Sequence, residues 1–217
     1  MENQLQKRKR VRLKDYDYST EGLYFVTFCT KGKKKILSKI LEDTGCVIIS
    51  DVGEIVKEQL LDVCNRYDCV KVVSFVIMPN HVHALFSIEE TAGASPRPTI
   101  MDVVCVVKSL STRLYRKKGY KDNIFQTSFY EHIVRNEKEC LELMKYIEEN
   151  PLKWNLDELY VEKDRAGACS RRIKKERRTV PFCMYCSVYI GSLPKIASVV
   201  SSNKSARVHK ADNDNSL

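Results

Sequence analysis

The run Phe75-Val-Ile-Met-Pro-Asn-His-Val-His-Ala-Leu-Phe86 constrains this chain more than any other segment. Residues 69–77 read as one core strand, and the stretch from the histidines to Ile88 reads as the next. Pro79-Asn80 between them predicts a bend or bulge, because proline cannot donate to a sheet ladder. Side chains alternate faces along a strand, so His81 and His83 project from the same side. Two neutral imidazoles held side by side make half of a divalent-metal site and need one or two further ligands. A hydrogen-bonded pair of strand histidines is the plainer reading of His-x-His. The chain has only four histidines, and a candidate third ligand lies downstream, which favours the metal.

At 217 residues the chain is expected to hold one domain of ordinary size with a tail, and its 43% hydrophobic content excludes wholesale disorder. A formal charge of +9 favours a polyanionic partner, nucleic acid before an anionic membrane surface. The N-terminus lacks the apolar core of a signal peptide, and no run approaches the ~18 apolar residues of a membrane helix. The expected location is therefore the cytoplasm, with no membrane partner. There the nine cysteines are expected to be mostly small buried apolar residues. Cys183-x-x-Cys186, with Cys169 upstream, is half a zinc site without a second pair.

Residues 1–14 form a basic arm, including Arg10 and Arg12, able to lie on phosphates. The β-branched and aromatic run 23–30 is a strand, and the lysines of 31–35 form a charged loop that reads as a solvated turn or a DNA contact. Residues 47–49 suggest a short strand. From Asp51 to about Tyr67 the apolar spacing is helical, with Ser50 or Asp51 as cap. Thr99 caps a long helix whose apolar face holds Val103, Val107, Leu110 and Leu114. Its other face carries Lys108, Arg113, Arg116 and Lys117. An extended aromatic stretch spans 125–134. Asn136 and Glu139 then make a capping-box pattern for a last helix, stopped at Asn150-Pro151. This order predicts an α+β fold, a ferredoxin-like split βαβ antiparallel sheet with helices packed on one face. The domain is expected over 15–164, followed by a basic, poorly ordered appendage over 165–217.

Tyr146 and Asn150 are four apart on the last helix and share a stripe that flanks the apolar face of Cys140, Leu143, Met144 and Ile147. That edge can reach a site on the sheet. A phenol oxygen can attack a phosphodiester, and a carboxamide oxygen can ligate a hard metal. A cation held by two imidazoles and one amide would polarise a scissile phosphate for in-line attack. Mg²⁺ or Mn²⁺ suits this set by hardness, although imidazole also suits Zn²⁺. Helix-edge tyrosines are common and the chain has eleven, so Tyr146 gains its interest from the histidine pair.

Met78-Pro-Asn-His-Val-His83, Phe129-Tyr-Glu-His-Ile-Val-Arg-Asn-Glu137 and Tyr146-Ile-Glu-Glu-Asn-Pro151 closely resemble the single-tyrosine HUH transposases, nearest the REP-associated tyrosine transposase branch. Tyr16-Asp-Tyr18, Leu23-Tyr-Phe-Val-Thr27, Ala94-Ser-Pro-Arg-Pro98 and Lys108-Ser109 also resemble that branch. The likeness covers roughly residues 8–157; the tail after Asp164 has no counterpart in it. The resemblance implies the HUH endonuclease fold, His81 and His83 as ligands of a divalent ion, Asn150 completing the site and Tyr146 as nucleophile. It also implies a reaction: single-stranded DNA, often beside a hairpin, is cleaved through a 5′-phosphotyrosine, freeing a 3′-hydroxyl that can later reverse the step. The partner is then single-stranded or hairpin DNA, bound by a monomer or a homodimer.

Tyr130 is a rival nucleophile and His132 a rival ligand, on one face of an extended run. No amide lies at helical spacing from Tyr130, so Phe129 and Tyr130 read as packing or base-stacking groups. Arg113, Arg116, Lys117 and Arg135 read equally as phosphate contacts or as solvated charges. Two other functions compete: a catalytically retired binder of hairpins or single strands, and a metal-dependent hydrolase in which Tyr146 is structural.

Overall fold

The computed structural model of the protein describes residues 16–41, 44–90 and 97–161. The basic arm with Arg10 and Arg12, the cysteines 169, 183 and 186, and the appendage therefore lie outside the described residues.

Among the described residues six strands and four α-helices follow one another: β1 (Gly22–Cys29), β2 (Ser38–Ile40), β3 (Val47–Ile49), α1 (Asp51–Leu61), α2 (Val63–Arg66), β4 (Val70–Ile77), β5 (His81–Ile88), α3 (Ile100–Lys117), β6 (Tyr130–Val134) and α4 (Glu137–Glu149). The main sheet runs β4-β5-β1-β6 with every neighbour antiparallel. Strands β1 and β4 thus flank β5 and are joined through α1, which is the split βαβ topology. Strands β2 and β3 form a small hairpin whose Ser38 Oγ donates to the Ile77 carbonyl.

The helices lie on both faces of the sheet, not on one. Tyr24, Val26, Phe28, Val72, Phe75, Val82, Ala84 and Phe86 share a core with Val52, Val56 and Leu60 of α1 and Val103, Val104 and Val107 of α3. On the other face, Leu23, Phe25, Val73, Val76 and Leu85 meet Cys140, Met144 and Ile147 of α4. The reason is visible in β5, buried at all eight positions. A strand apolar on both faces needs a layer on each side, and continuous runs such as Leu23-Tyr-Phe-Val26 carry that signal. The second layer puts α4 over the face that displays His81 and His83.

A register irregularity between Val72 and Ser74 shifts the alternation of β4, so that Val72 and Phe75 share one face while Val73 and Val76 share the other. Met78-Pro-Asn80 connects β4 to β5, closed by Met78 N donating to the His81 carbonyl at 2.9 Å. The bend falls where proline demands it, and the bulge lies upstream.

Ser50 caps α1 by accepting from Gly53 N, and Thr99 forms a full capping box with Asp102. The buried stripe of α3 runs through Ile100, Val103, Val104, Val107 and Ser111, leaving Leu110 and Leu114 half-buried beside it. Asn136 caps α4 through Glu139 N, but the Glu139 carboxylate accepts from Arg135 N, one residue earlier than a capping box requires. Of the six described cysteines, Cys29, Cys69 and Cys140 are buried, and Cys105 is exposed. Among the described residues no helix is long and apolar enough to cross a membrane.

Gly53 lies inside α1, where alanine would ordinarily be better by up to ~1 kcal/mol. A Cβ there would collide with the Leu37 carbonyl oxygen and approach Ile49 Cγ2 to 2.6 Å. That carbonyl is pinned by Ser50 N at 2.9 Å, so it cannot give way cheaply. Gly53→Ala is expected to destabilise the protein by ~1–3 kcal/mol, read as a lowered thermal midpoint; an unchanged or raised midpoint would contradict this packing.

Candidate active site and metal centre

The β5 histidines are held from behind by two different groups. Asn80 is fully buried, and its Nδ2 donates to the Leu159 carbonyl at 2.8 Å. A carbonyl only accepts, so the amide orientation follows, and Asn80 Oδ1 faces His81 Nδ1 at 2.8 Å. His81 Nδ1 must then carry the proton, which leaves Nε2 as a lone pair directed at the site. His83 Nδ1 lies 2.7 Å from the Thr27 hydroxyl, its cross-strand partner on β1. A hydroxyl can donate or accept, so Thr27 supports either tautomer of His83. Phe25 stacks on the His83 ring at 5.4 Å between centroids.

The two Nε2 atoms are 3.0 Å apart. Neighbouring ligands of an octahedral ion with bonds of ~2.1 Å stand ~3.0 Å apart, so the pair has the spacing of a metal chelate. Tyr146, on α4, brings its hydroxyl to 3.3 Å from His83 Nε2. Asn150, at the end of α4, is buried, and its Oδ1 has no hydrogen-bond partner. A buried acceptor without a partner is costly, and a cation would satisfy it.

One site residue escaped the sequence reading. After Pro151 the chain continues as a 3₁₀ turn (Asn150–Leu156) that folds back over β5, with Trp154 5.9 Å from the His81 ring. It delivers Asp157, whose Oδ2 accepts from Asn150 Nδ2 at 3.1 Å and lies 3.8 Å from His81 Nε2. His81, His83 and Asp157 each offer a ligand atom, all within 4.8 Å of one another. Nothing local marks Asp157 in the sequence: it lies beyond the helix stop, and only the fold-back brings it to β5. With the unpartnered Asn150 oxygen, this donor set of imidazole nitrogen, carboxylate and amide fits a hard divalent cation.

Burial pushes both imidazoles down to about 3; the Lys33 charge adds to it for His81, and His81 adds to it for His83, against the opposing Asp157 carboxylate. At neutral pH both are therefore uncharged and able to ligate. An unfolded histidine takes up its proton near ~6.5, whereas these stay neutral to about 3, so in that window the unfolded chain binds more protons. Stability should fall as pH falls from 6.5 towards 3. Denaturant titrations across that range should give a shallower loss for a His81→Gln/His83→Gln double variant; an equal slope would mean that the imidazoles are not buried neutral groups. Burial, then the Asp157 carboxylate, raises the Tyr146 phenol above its ordinary value, against a lowering hydrogen bond from Asn150.

The other sequence candidates fall elsewhere. Tyr130 pairs with Thr27 across β1, so it stands on the His83 face one strand farther away, and it is 47% exposed. His132 pairs instead with Glu139 at 2.7 Å. Phe129 packs against the core of the α1–α3 face, under the Lys108 ammonium, which donates to the Thr127 carbonyl at 2.8 Å. Arg116 bonds Asn123 at 2.6 Å, and Arg113 and Lys117 are exposed on the same helix. These α3 cations belong to the layer opposite the histidine pair. Arg135 is exposed at the end of β6.

Comparisons with known proteins give this geometry a lineage. A solved structure described as a REP-associated tyrosine transposase bound to a REP hairpin superposes with a TM-score of 0.50 at 20% identity, covering 67% of this chain and 76% of that one. The fold is accordingly that of the HUH class. Residues 19–150 match the family described as "Transposase IS200 like", and the chain belongs to that family. An uncharacterized protein of Haemophilus influenzae is 33% identical over 171 residues, 71% of this chain and 94% of its own length. A second protein of that organism, provisionally named a REP-associated tyrosine transposase, is 24% identical over 147 residues, 63% of this chain and 74% of its own, which supports that branch. The family's functional class is DNA transposition and DNA binding.

Proposed function

We propose that this protein cleaves and rejoins single-stranded DNA next to a hairpin, using Tyr146 as nucleophile and a divalent cation held by His81, His83 and Asn150. The observation that carries the reading is the Tyr146 hydroxyl 3.3 Å from His83 Nε2, with His81 Nε2 3.0 Å beyond it. A cation bound there neutralises phosphate charge and polarises the phosphorus towards attack. Tyr146 Oη would form the new bond to phosphorus while the bond to the 3′-oxygen breaks. The phenolic proton leaves, and the 3′-oxygen departs to become a hydroxyl. Energy is conserved in the 5′-phosphotyrosine, so attack by a second 3′-hydroxyl rejoins DNA without a high-energy cofactor.

Several features suit the DNA. Tyr130 is an exposed aromatic on the same sheet face as His83, which supports a role for it in stacking a base beside the scissile position. Arg135 follows it at the end of β6. The neighbour that binds a REP hairpin motivates the choice of probe. Incubation with Mn²⁺ and oligonucleotides carrying a hairpin and a single-stranded flank should give a denaturation-resistant adduct, absent with EDTA and absent on blunt duplex.

The His81–His83–Asp157 grouping favours one second reading, a metal-dependent hydrolase, because two imidazoles and a carboxylate also activate water. The adduct separates them: steady turnover with no covalent species supports the hydrolase and refutes the transposase chemistry.

A further inference from the structure

The segment that follows α4 doubles back over the histidines and is tied down along its length. Leu159 accepts from buried Asn80, which orients His81. Trp154 lies over the His81 ring and meets Tyr160 edge-on at 5.1 Å, and the Lys35 ammonium lies 5.1 Å from the Tyr160 centroid. Asp157 hangs from this strap with its side chain only 5% exposed. Its Oδ1 is taken by Leu159 N at 2.6 Å, and its Oδ2 accepts from Asn150.

The carboxylate faces two imidazoles and one amide, almost out of water, and among the described residues no lysine or arginine forms an ion pair with it. Beside it Asn150 Oδ1 is a buried acceptor without a hydrogen-bond partner, so this crowding of acceptor atoms calls for a positive charge at the shared focus. The separation of Asp157 from His81 fits one. Two ligands of a single ion at ~2.1 Å stand between ~3.0 and ~4.2 Å apart, and Asp157 Oδ2 is 3.8 Å from His81 Nε2.

We propose that Asp157 is a further metal-site residue: it ligates the cation through Oδ2, and its hydrogen bond from Asn150 Nδ2 turns Asn150 Oδ1 towards the same ion. The inference rests on the reading of the histidine pair given above. Because Asn150 closes α4 and Tyr146 lies one turn earlier on it, the carboxylate links cation binding to the helix that carries the nucleophile. The site is thereby assembled from β5 and from the strap, and the ion clamps one onto the other.

Binding of Mn²⁺ alone to the full chain, without DNA, tests this by titration calorimetry. Asp157→Asn keeps the size and an acceptor for Leu159 N but removes the charge. It should weaken Mn²⁺ binding by about 10- to 100-fold, whereas Glu142→Gln, on the exposed side of α4, should stay within about twofold of wild type. Hydrogen exchange gives a second readout that general destabilisation would not mimic. Mn²⁺ should slow exchange at the C-terminal end of α4 in the wild type, and this slowing should vanish in Asp157→Asn.

Asp157→Asn binding Mn²⁺ as tightly as wild type, while His81→Ala does not bind, would overturn the role of Asp157 and leave the histidine site standing. Undiminished binding in His81→Ala would overturn both. Asp157→Ser is the companion variant. If both Asp157 variants are unfolded in EDTA, where the wild type is folded, the carboxylate is structural and the proposal fails.

Discussion

Tyr146→Phe is expected to abolish the covalent protein–DNA species and to lower strand cleavage by about 10⁴-fold or more, while the protein stays folded. The substitution removes one oxygen and keeps the ring. The ring's edge-on contacts with His83 at 5.1 Å and Phe25 at 6.1 Å therefore survive. The lost hydroxyl belongs to a residue 43% exposed, so its hydrogen bond to His83 contributes no more than ~1 kcal/mol to stability. Chemistry and folding are thus separable at this position. Tyr130→Phe is the matched control, because Tyr130 is on the same face but one strand farther from the imidazoles. Its loss of hydroxyl should leave the adduct intact. An adduct that persists in Tyr146→Phe and disappears in Tyr130→Phe would exchange the two roles.

His81→Ala is expected to cost cleavage about 10³-fold and to eliminate the rise in thermal midpoint that Mn²⁺ produces in the wild type. His81 is the imidazole whose tautomer is set by its surroundings, with Nε2 free for the ion. Removing it also strands Asn80 Oδ1 in a buried position, at a further cost of ~1–3 kcal/mol. The two effects are told apart in EDTA. There the variant should melt below the wild type, and added Mn²⁺ should raise only the wild type. Equal Mn²⁺-induced shifts in both proteins would place the ion somewhere other than this pair.

Much of the architecture follows from local pattern. The β-branched run of β1, the paired strands around Pro79-Asn80, the Thr99 and Asn136 caps and the stop at Asn150-Pro151 are all short-range signals, and each element forms where those signals place it. The spacing of two that puts both histidines on one strand face, and the spacing of four that puts Tyr146 and Asn150 on one helical stripe, are periodicities of the backbone itself. Such periodicities do not say which layer a helix joins. The α4 layer was misplaced because an amphipathic helix satisfies its apolar face equally well against either side of a doubly buried sheet. The α3 cations illustrate the same limit, since their spacing along the helix says nothing of their position across the sheet from His81.

The sequence by itself determined the elements, the shared face of the histidine pair and the stripe of tyrosine and amide, because each depends on residues within one turn or one strand of each other. Only the tertiary structure decided that these two half-sites meet, that Asn80 and Thr27 orient the imidazoles, and that Asp157 joins them. Those contacts span 56 residues between Thr27 and His83, 63 between His83 and Tyr146, and 79 between Asn80 and Leu159. They exist because two apolar faces of one sheet each required a covering layer, and burying the second face brought α4 and its strap down onto the histidines.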